Sequence, residues 1–162
     1  MKFQSLGKVH RITTTQNLPI ELKSAWEFFS SPKNLATITP DGLNFKILSG
    51  ADEKIFPGQI IQYKVNPLPF FSSIWVTEIT HVQDQEYFID EQRYGPYAFW
   101  HHKHFFKTIE GGTQIIDVVD FKAPFGWIGR KLSNPLIKRE LKKIFTYRND
   151  KLIELFGTHK NN

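Results

Sequence analysis

The sequence predicts an α+β domain in which a seven-stranded antiparallel sheet curls around one long C-terminal helix. Three observations carry this. The middle of the chain, residues 43–122, alternates apolar and polar residues between turn signals, as consecutive strands do. The last thirty residues hold the strongest helical pattern. Aromatic residues, fifteen Phe, five Tyr and four Trp, make up 15% of the chain, enough to line a concave sheet.

The elements follow in the order strand, two helices, six strands, helix. Lys8–Gln16 is rich in Thr and β-branched residues and reads as a strand, broken by Asn17-Leu18-Pro19. Ile20–Phe29 places Leu22, Ala25, Trp26 and Phe29 at helical spacing. Ser31-Pro32 is an N-cap with a first-turn proline, starting a second short helix that stops before Pro40. Six strands are expected at Leu43–Ser49, Gln59–Asn66, Ser72–Val82, Glu86–Tyr94, Tyr97–Ile109 and Thr113–Lys122. Pro57-Gly58, Pro67-Leu68-Pro69, Asp84-Gln85, Gly95-Pro96 and Gly111-Gly112 separate them. Such short connections imply an antiparallel meander. Asn134-Pro135 then reads as a helix start, and Ile137, Leu141, Ile144, Phe145, Leu152, Leu155 and Phe156 form its apolar stripe. Gly157 stops it. About 22 residues at ~1.5 Å each would cross the domain.

With 162 residues the chain suits one domain, 1–162. It has no cysteine, which removes disulfides, thiolate metal sites and cysteine nucleophiles. No signal-peptide run and no apolar stretch near ~18 residues is present, so a soluble cytoplasmic protein is expected. The net charge of +5 is concentrated in residues 130–151, on what reads as the solvated face of the last helix. No motif supports a nucleic-acid partner. No phosphate loop, nucleophile elbow or metalloprotease pattern is present, and no cofactor is implied.

The hairpin around Gly111-Gly112 fixes the inward face. A two-residue loop there pairs Glu110 with Thr113, His104 with Val119 and Phe106 with Asp117. One side then carries Trp100, His102, His104, Phe106, Asp117, Val119 and Phe121. It is the more aromatic and less charged side, so it should face the core. His102, His104 and Asp117 are thus polar groups on an apolar face and must be paired. They are either a structural network or the polar end of a pocket, with His102 or His104 as acid or base and Asp117 orienting it. Asp90 and Gln92 either join them or lie outside the sheet. Arg148 interrupts the helical stripe between Phe145 and Leu152 and is expected to reach a carboxylate of the protein or of a ligand, or to extend its head to water. His102 and His104 share a strand face, as two metal ligands would, but no local pattern supplies a third, so no metal is expected. Phe125, Trp127, Arg130 and Lys131 combine apolar and basic character before the long helix, as a packed anchor, a pocket rim or a transient membrane contact.

Several of these segments together resemble the START-like (SRPBCC) superfamily, which includes polyketide cyclases and lipid-transfer domains, and within it an uncharacterised bacterial branch. They are Ala25-Trp26-Glu27-Phe28-Phe29, Asn34-Leu35 through Thr39-Pro40, Pro57-Gly58, and Gly95-Pro96-Tyr97 with Trp100, His102 and His104. Gly111-Gly112 with Asp117, then Pro124, Gly126 and Gly129, then Phe145 with Tyr147-Arg148 complete them. The resemblance spans Lys8–Phe156. It implies a helix-grip fold with an internal cavity for a lipid, isoprenoid or polyketide-like molecule, held for transport or sensing. A cyclase or dehydratase with a pocket histidine is the alternative it allows. Trp100, His102, His104, Phe106, Asp117, Val119, Phe121, Phe145 and Arg148 are the residues expected to meet the ligand.

Overall fold

A computed structural model describes residues 1–68, 71–124 and 126–160, and the side chains of all of these except 67, 68, 71 and 126–134. Phe125, named above as a membrane contact, lies outside the described residues. So do the side chains of Trp127, Arg130 and Lys131.

The observed order is β1 (Lys2–Leu6), β2 (Val9–Leu18), α1 (Leu22–Phe29), two short 3₁₀ turns (Pro32–Leu35 and Asp41–Leu43), β3 (Lys46–Ser49), β4 (Ile60–Leu68), β5 (Phe71–Gln83), β6 (Tyr87–Tyr94), β7 (Phe99–Ile109), β8 (Gly112–Lys122) and α2 (Gly126–Phe156). All eight strands form one curved antiparallel sheet in the order β1-β2-β8-β7-β6-β5-β4-β3. The meander from β3 to β8 is as expected. The β2–β8 pairing joins the first long strand to the last, with His10 opposite Phe121 and Leu18 opposite Thr113.

Three features depart from the sequence reading. An eighth strand, β1, turns back through Gly7 (φ 67°) onto β2. Only Phe3 is partly buried in it, so its residues carry almost no apolar alternation. The segment after Ser31 forms 3₁₀ turns and not an α-helix; its hydrogen bonds run i→i−3, as Asn34 N–H to Ser31 O. The last helix begins at Gly126, eight residues before Asn134, and Pro135 lies inside it. A proline removes one i→i−4 bond without stopping a helix that is already formed. Gly126 and Gly129, weak helix formers, conceal the early turns in the sequence.

The helix of 31 residues lays Ile137, Leu141, Phe145 and Leu152 against the sheet. Leu141 and Leu152 are each 2% exposed, and burying each contributes ~1.5–3 kcal/mol. Toward the other end, Trp26 of α1 packs edge-on to Phe106 at 5.3 Å between ring centres, with Phe88 and Leu152 in the same cluster. A third cluster, Ala51, Ile61, Tyr63 and Ile79, closes the β3–β5 side. The three clusters leave a space between the sheet and α2.

Candidate functional site

The β7–β8 hairpin positions the polar residues. Its register pairs Phe106 with Ile115, His104 with Asp117, His102 with Val119 and Trp100 with Phe121. The expected pairs of His104 with Val119 and Phe106 with Asp117 are therefore displaced by two residues. The loop is Glu110-Gly111 and not Gly111-Gly112. Gly111 takes the positive φ of 74°, while Gly112 is paired with Ile109 inside the ladder. Gly112 is glycine for another reason: a Cβ there would sit 2.0 Å from the Leu18 carbonyl oxygen. A two-residue slip preserves the side-chain parity, so the inward face is the expected one. Trp100, His102, His104, Phe106, Ile115, Asp117, Val119 and Phe121 are all buried.

The corrected register puts the ionisable groups in direct contact. His102 Nε2 lies 2.9 Å from Asp117 Oδ1 in a hydrogen bond. His104 Nδ1 lies 2.9 Å from the same oxygen, but outside hydrogen-bond geometry. On the other side, His104 Nε2 donates to Asp90 Oδ2 at 2.8 Å, and His102 Nδ1 is 3.5 Å from that oxygen. Asp90 is placed by β6, opposite His102. From α2, Arg148 Nη1 reaches to 3.9 Å of Asp117 Oδ1, its guanidinium 5.1 Å from the Phe145 ring centre. Phe88 stacks on His104 at 4.0 Å. Gln92, the other candidate on β6, turns away and holds the Gly95 turn through the Tyr97 backbone.

Burial and contact set the charge states. For Asp117, burial favours the neutral acid, but the hydrogen bond with His102 and the close contact of His104 outweigh it, and its pKa falls well below the usual carboxylate value. Asp90 is lowered too: burial opposes ionisation and the charges of His102 and His104 overcome it. The two histidines are driven apart. Burial, then the neighbouring His104 charge, lowers the pKa of His102. Burial also opposes the charge on His104, yet its contacts with Asp117 and Asp90 prevail and raise it. These opposed shifts favour the neutral ring at His102 and the charged ring at His104.

A cavity of about 190 Å³ adjoins this cluster between α2 and the concave sheet. Trp100, His102, His104, Phe145 and Arg148 of the expected contact residues line it. Phe106, Val119 and Phe121 are packed into the core clusters and not into its wall, and Asp117 stands behind the histidines. Tyr63 and Asp90 also line it. Burial, then the Asp90 charge, raises the Tyr63 pKa, so this phenol stays an O–H donor. Its place in the alternation Ile61, Tyr63, Val65 is the sequence signal that would have found it. Among the described residues, Asp90, His102 and His104 bring ligand-type atoms within 4.8 Å of one another. In this arrangement the His104 atom is committed to Asp90, so a divalent cation would have to displace that proton.

No family profile matches the sequence, and no curated protein matches it. Solved structures do match its shape. An aromatase/cyclase, Zhui, from Streptomyces sp. R1128 superposes with a TM-score of 0.71 at 12% identity, covering 90% of this chain and 92% of that one. Ginseng major latex-like protein 151 from Panax ginseng gives 0.68 at 11% identity, covering 93% and 99%. A protein from Chromobacterium violaceum gives 0.68 at 14%, covering 92% and 99%. Among the described residues no helix is long and apolar enough to cross a membrane. At these identities the likeness speaks for architecture alone, and the chain has a helix-grip fold.

Proposed function

We propose that the chain binds an apolar small molecule in the cavity between α2 and the sheet, for carriage or sensing. The observation that carries this is the cavity itself: about 190 Å³ lined by Trp75, Trp100, Tyr63 and Phe145, with Asp90, His102, His104 and Arg148 also in its wall. That volume exceeds the ~150 Å³ of an apolar cavity able to take benzene. It is below the ~300–1,000 Å³ of drug-sized sites. The reading is therefore a ligand of about two rings, or one end of a longer lipid, isoprenoid or polyketide-like chain. Native mass spectrometry of protein purified from its own host should show a bound apolar molecule. Val65 is buried and lines the cavity, so Val65→Trp fills the space and should release that molecule while the circular-dichroism spectrum stays unchanged. Retention by the filled variant would remove the cavity from the account.

A second reading is proton-transfer chemistry, such as an aldol cyclisation or dehydration of a polyketide-like substrate. It is favoured by the opposed pKa shifts of two adjoining histidines at the cavity wall, since a neutral base beside a cationic acid is how one site runs both half-steps. His102 would take the proton and His104 would give one. His104→Gln should then abolish turnover of a poly-β-ketone substrate; full turnover by that variant would end this reading.

A further inference from the structure

Arg148 is the most unusual side chain in the molecule. It is 9% exposed and lines the cavity. A guanidinium has five N–H donors and no acceptor. None of them makes a hydrogen bond to the described residues. Nε is buried without a partner. The nearest carboxylate oxygen, on Asp117, is 3.9 Å from Nη1, beyond hydrogen-bond distance, and is already used by His102. Glu140 also lines the cavity, but it is paired with Lys143 at 2.8 Å. Buried donors are rarely left in this state without something to receive them.

Around the cavity end stand His102, His104 and Arg148 against two carboxylates, Asp90 and Asp117. With His102 neutral these charges balance, and an anion arriving beside His102 would favour its protonation and so be offset in turn.

From this geometry we infer that the ligand is an organic acid, whose apolar body fills the aromatic cavity and whose carboxylate is received by Arg148. The planar, forked guanidinium matches a carboxylate. This inference rests on the cavity-binding reading and adds the chemical class of the occupant. The guanidinium lies 5.1 Å from the Phe145 ring centre, and Tyr63, which also lines the cavity, offers an O–H.

The test compares three probes of similar width: cinnamate, cinnamamide and naphthalene. Wild type should bind cinnamate about ten- to a hundredfold more tightly than cinnamamide, the range expected for hydrogen bonds to a charged group in a buried site. Arg148→Gln should bring the two to within about twofold, and Arg148→Lys should keep part of the preference. The Nε–H resonance of Arg148 in wild type, which no variant can disturb by misfolding, should shift on adding cinnamate and hold still with naphthalene. Equal affinity for cinnamate and cinnamamide, with naphthalene bound, overturns the acid assignment and leaves the cavity reading intact. Failure of all three to bind overturns both.

Discussion

Two carboxylates three positions apart on β8 have opposite surroundings. Asp120 faces outward and Asp117 inward. Asp120 receives Arg11 through two parallel bonds of 2.7 and 2.8 Å and Lys103 through a third of 2.8 Å. Both partners are permanently charged, and together they tie β2, β8 and β7. Burial opposes ionisation of Asp120, and the bonds with Arg11 and Lys103 outweigh it. Asp117 is served by two titratable imidazoles and a distant arginine, all directed at one oxygen. Donors are left over there, and a cavity adjoins. A completed cluster of fixed charges is a clamp. A cluster of titratable groups with spare donors beside an empty space is built to receive something.

The comparison can be broken first on stability. Asp117→Asn takes a partner from three buried groups and should cost roughly 3–5 kcal/mol in urea denaturation. Asp120→Asn should cost about 1 kcal/mol, because the Arg11 side chain is 35% exposed and water screens the pair. Equal losses would mean that both clusters are structural clamps.

Acid titration sharpens it next. The Asp117 pKa is lowered on folding, so its stabilisation is fully present above the unfolded carboxylate value near 3.8 and is lost as pH falls through the folded value. Asp117→Asn should lose that limb of acid unfolding, and Asp120→Asn should lose a smaller one. A wild-type acid limb that survives in Asp117→Asn would refute the inner assignment.

The histidines give a smaller effect. The His104 pKa is raised above 6.5, so its contribution is complete below that value and is lost as pH rises through the folded value. His102 is lowered; its stabilisation is present above 6.5 and is lost as pH falls. The two windows lie on opposite sides of 6.5, so their joint contribution to wild-type stability should peak near that pH and fall away on both sides. Imidazole NMR titrations should place His102 below 6.5 and His104 above it, and His102→Asn should gain stability toward pH 6 relative to wild type. The smallest effect is ionic. About 1 M salt should weaken the Arg11–Asp120 coupling in a double-mutant cycle and leave the buried His102–Asp117 coupling unchanged.

The sequence carried the inner face and the helical stripe, because parity and a 3.6-residue period survive small errors in register. It did not carry the contacts. Whether Glu110-Gly111 or Gly111-Gly112 forms the loop decides what His104 meets, and both pairs look like turns. Only the tertiary approach of the Leu18 carbonyl to Gly112 separates them. Asp90 and Gln92 alternate identically on β6, yet one enters the cluster and the other holds a turn. The start of α2 was hidden because Asn134-Pro135 imitates a helix start inside a helix already running. The eighth strand was hidden because a paired but exposed edge needs no apolar alternation.

The central claim is that α2 spans the sheet without filling the space beneath it. Methyl NMR during a naphthalene titration tests this directly. The predicted result is saturable shifts at Ile61, Ile79, Leu141 and Ile144, which line the cavity, with the exposed Leu6 and Leu48 unmoved. Shifts that never saturate, or that appear only at the exposed methyls, would contradict it.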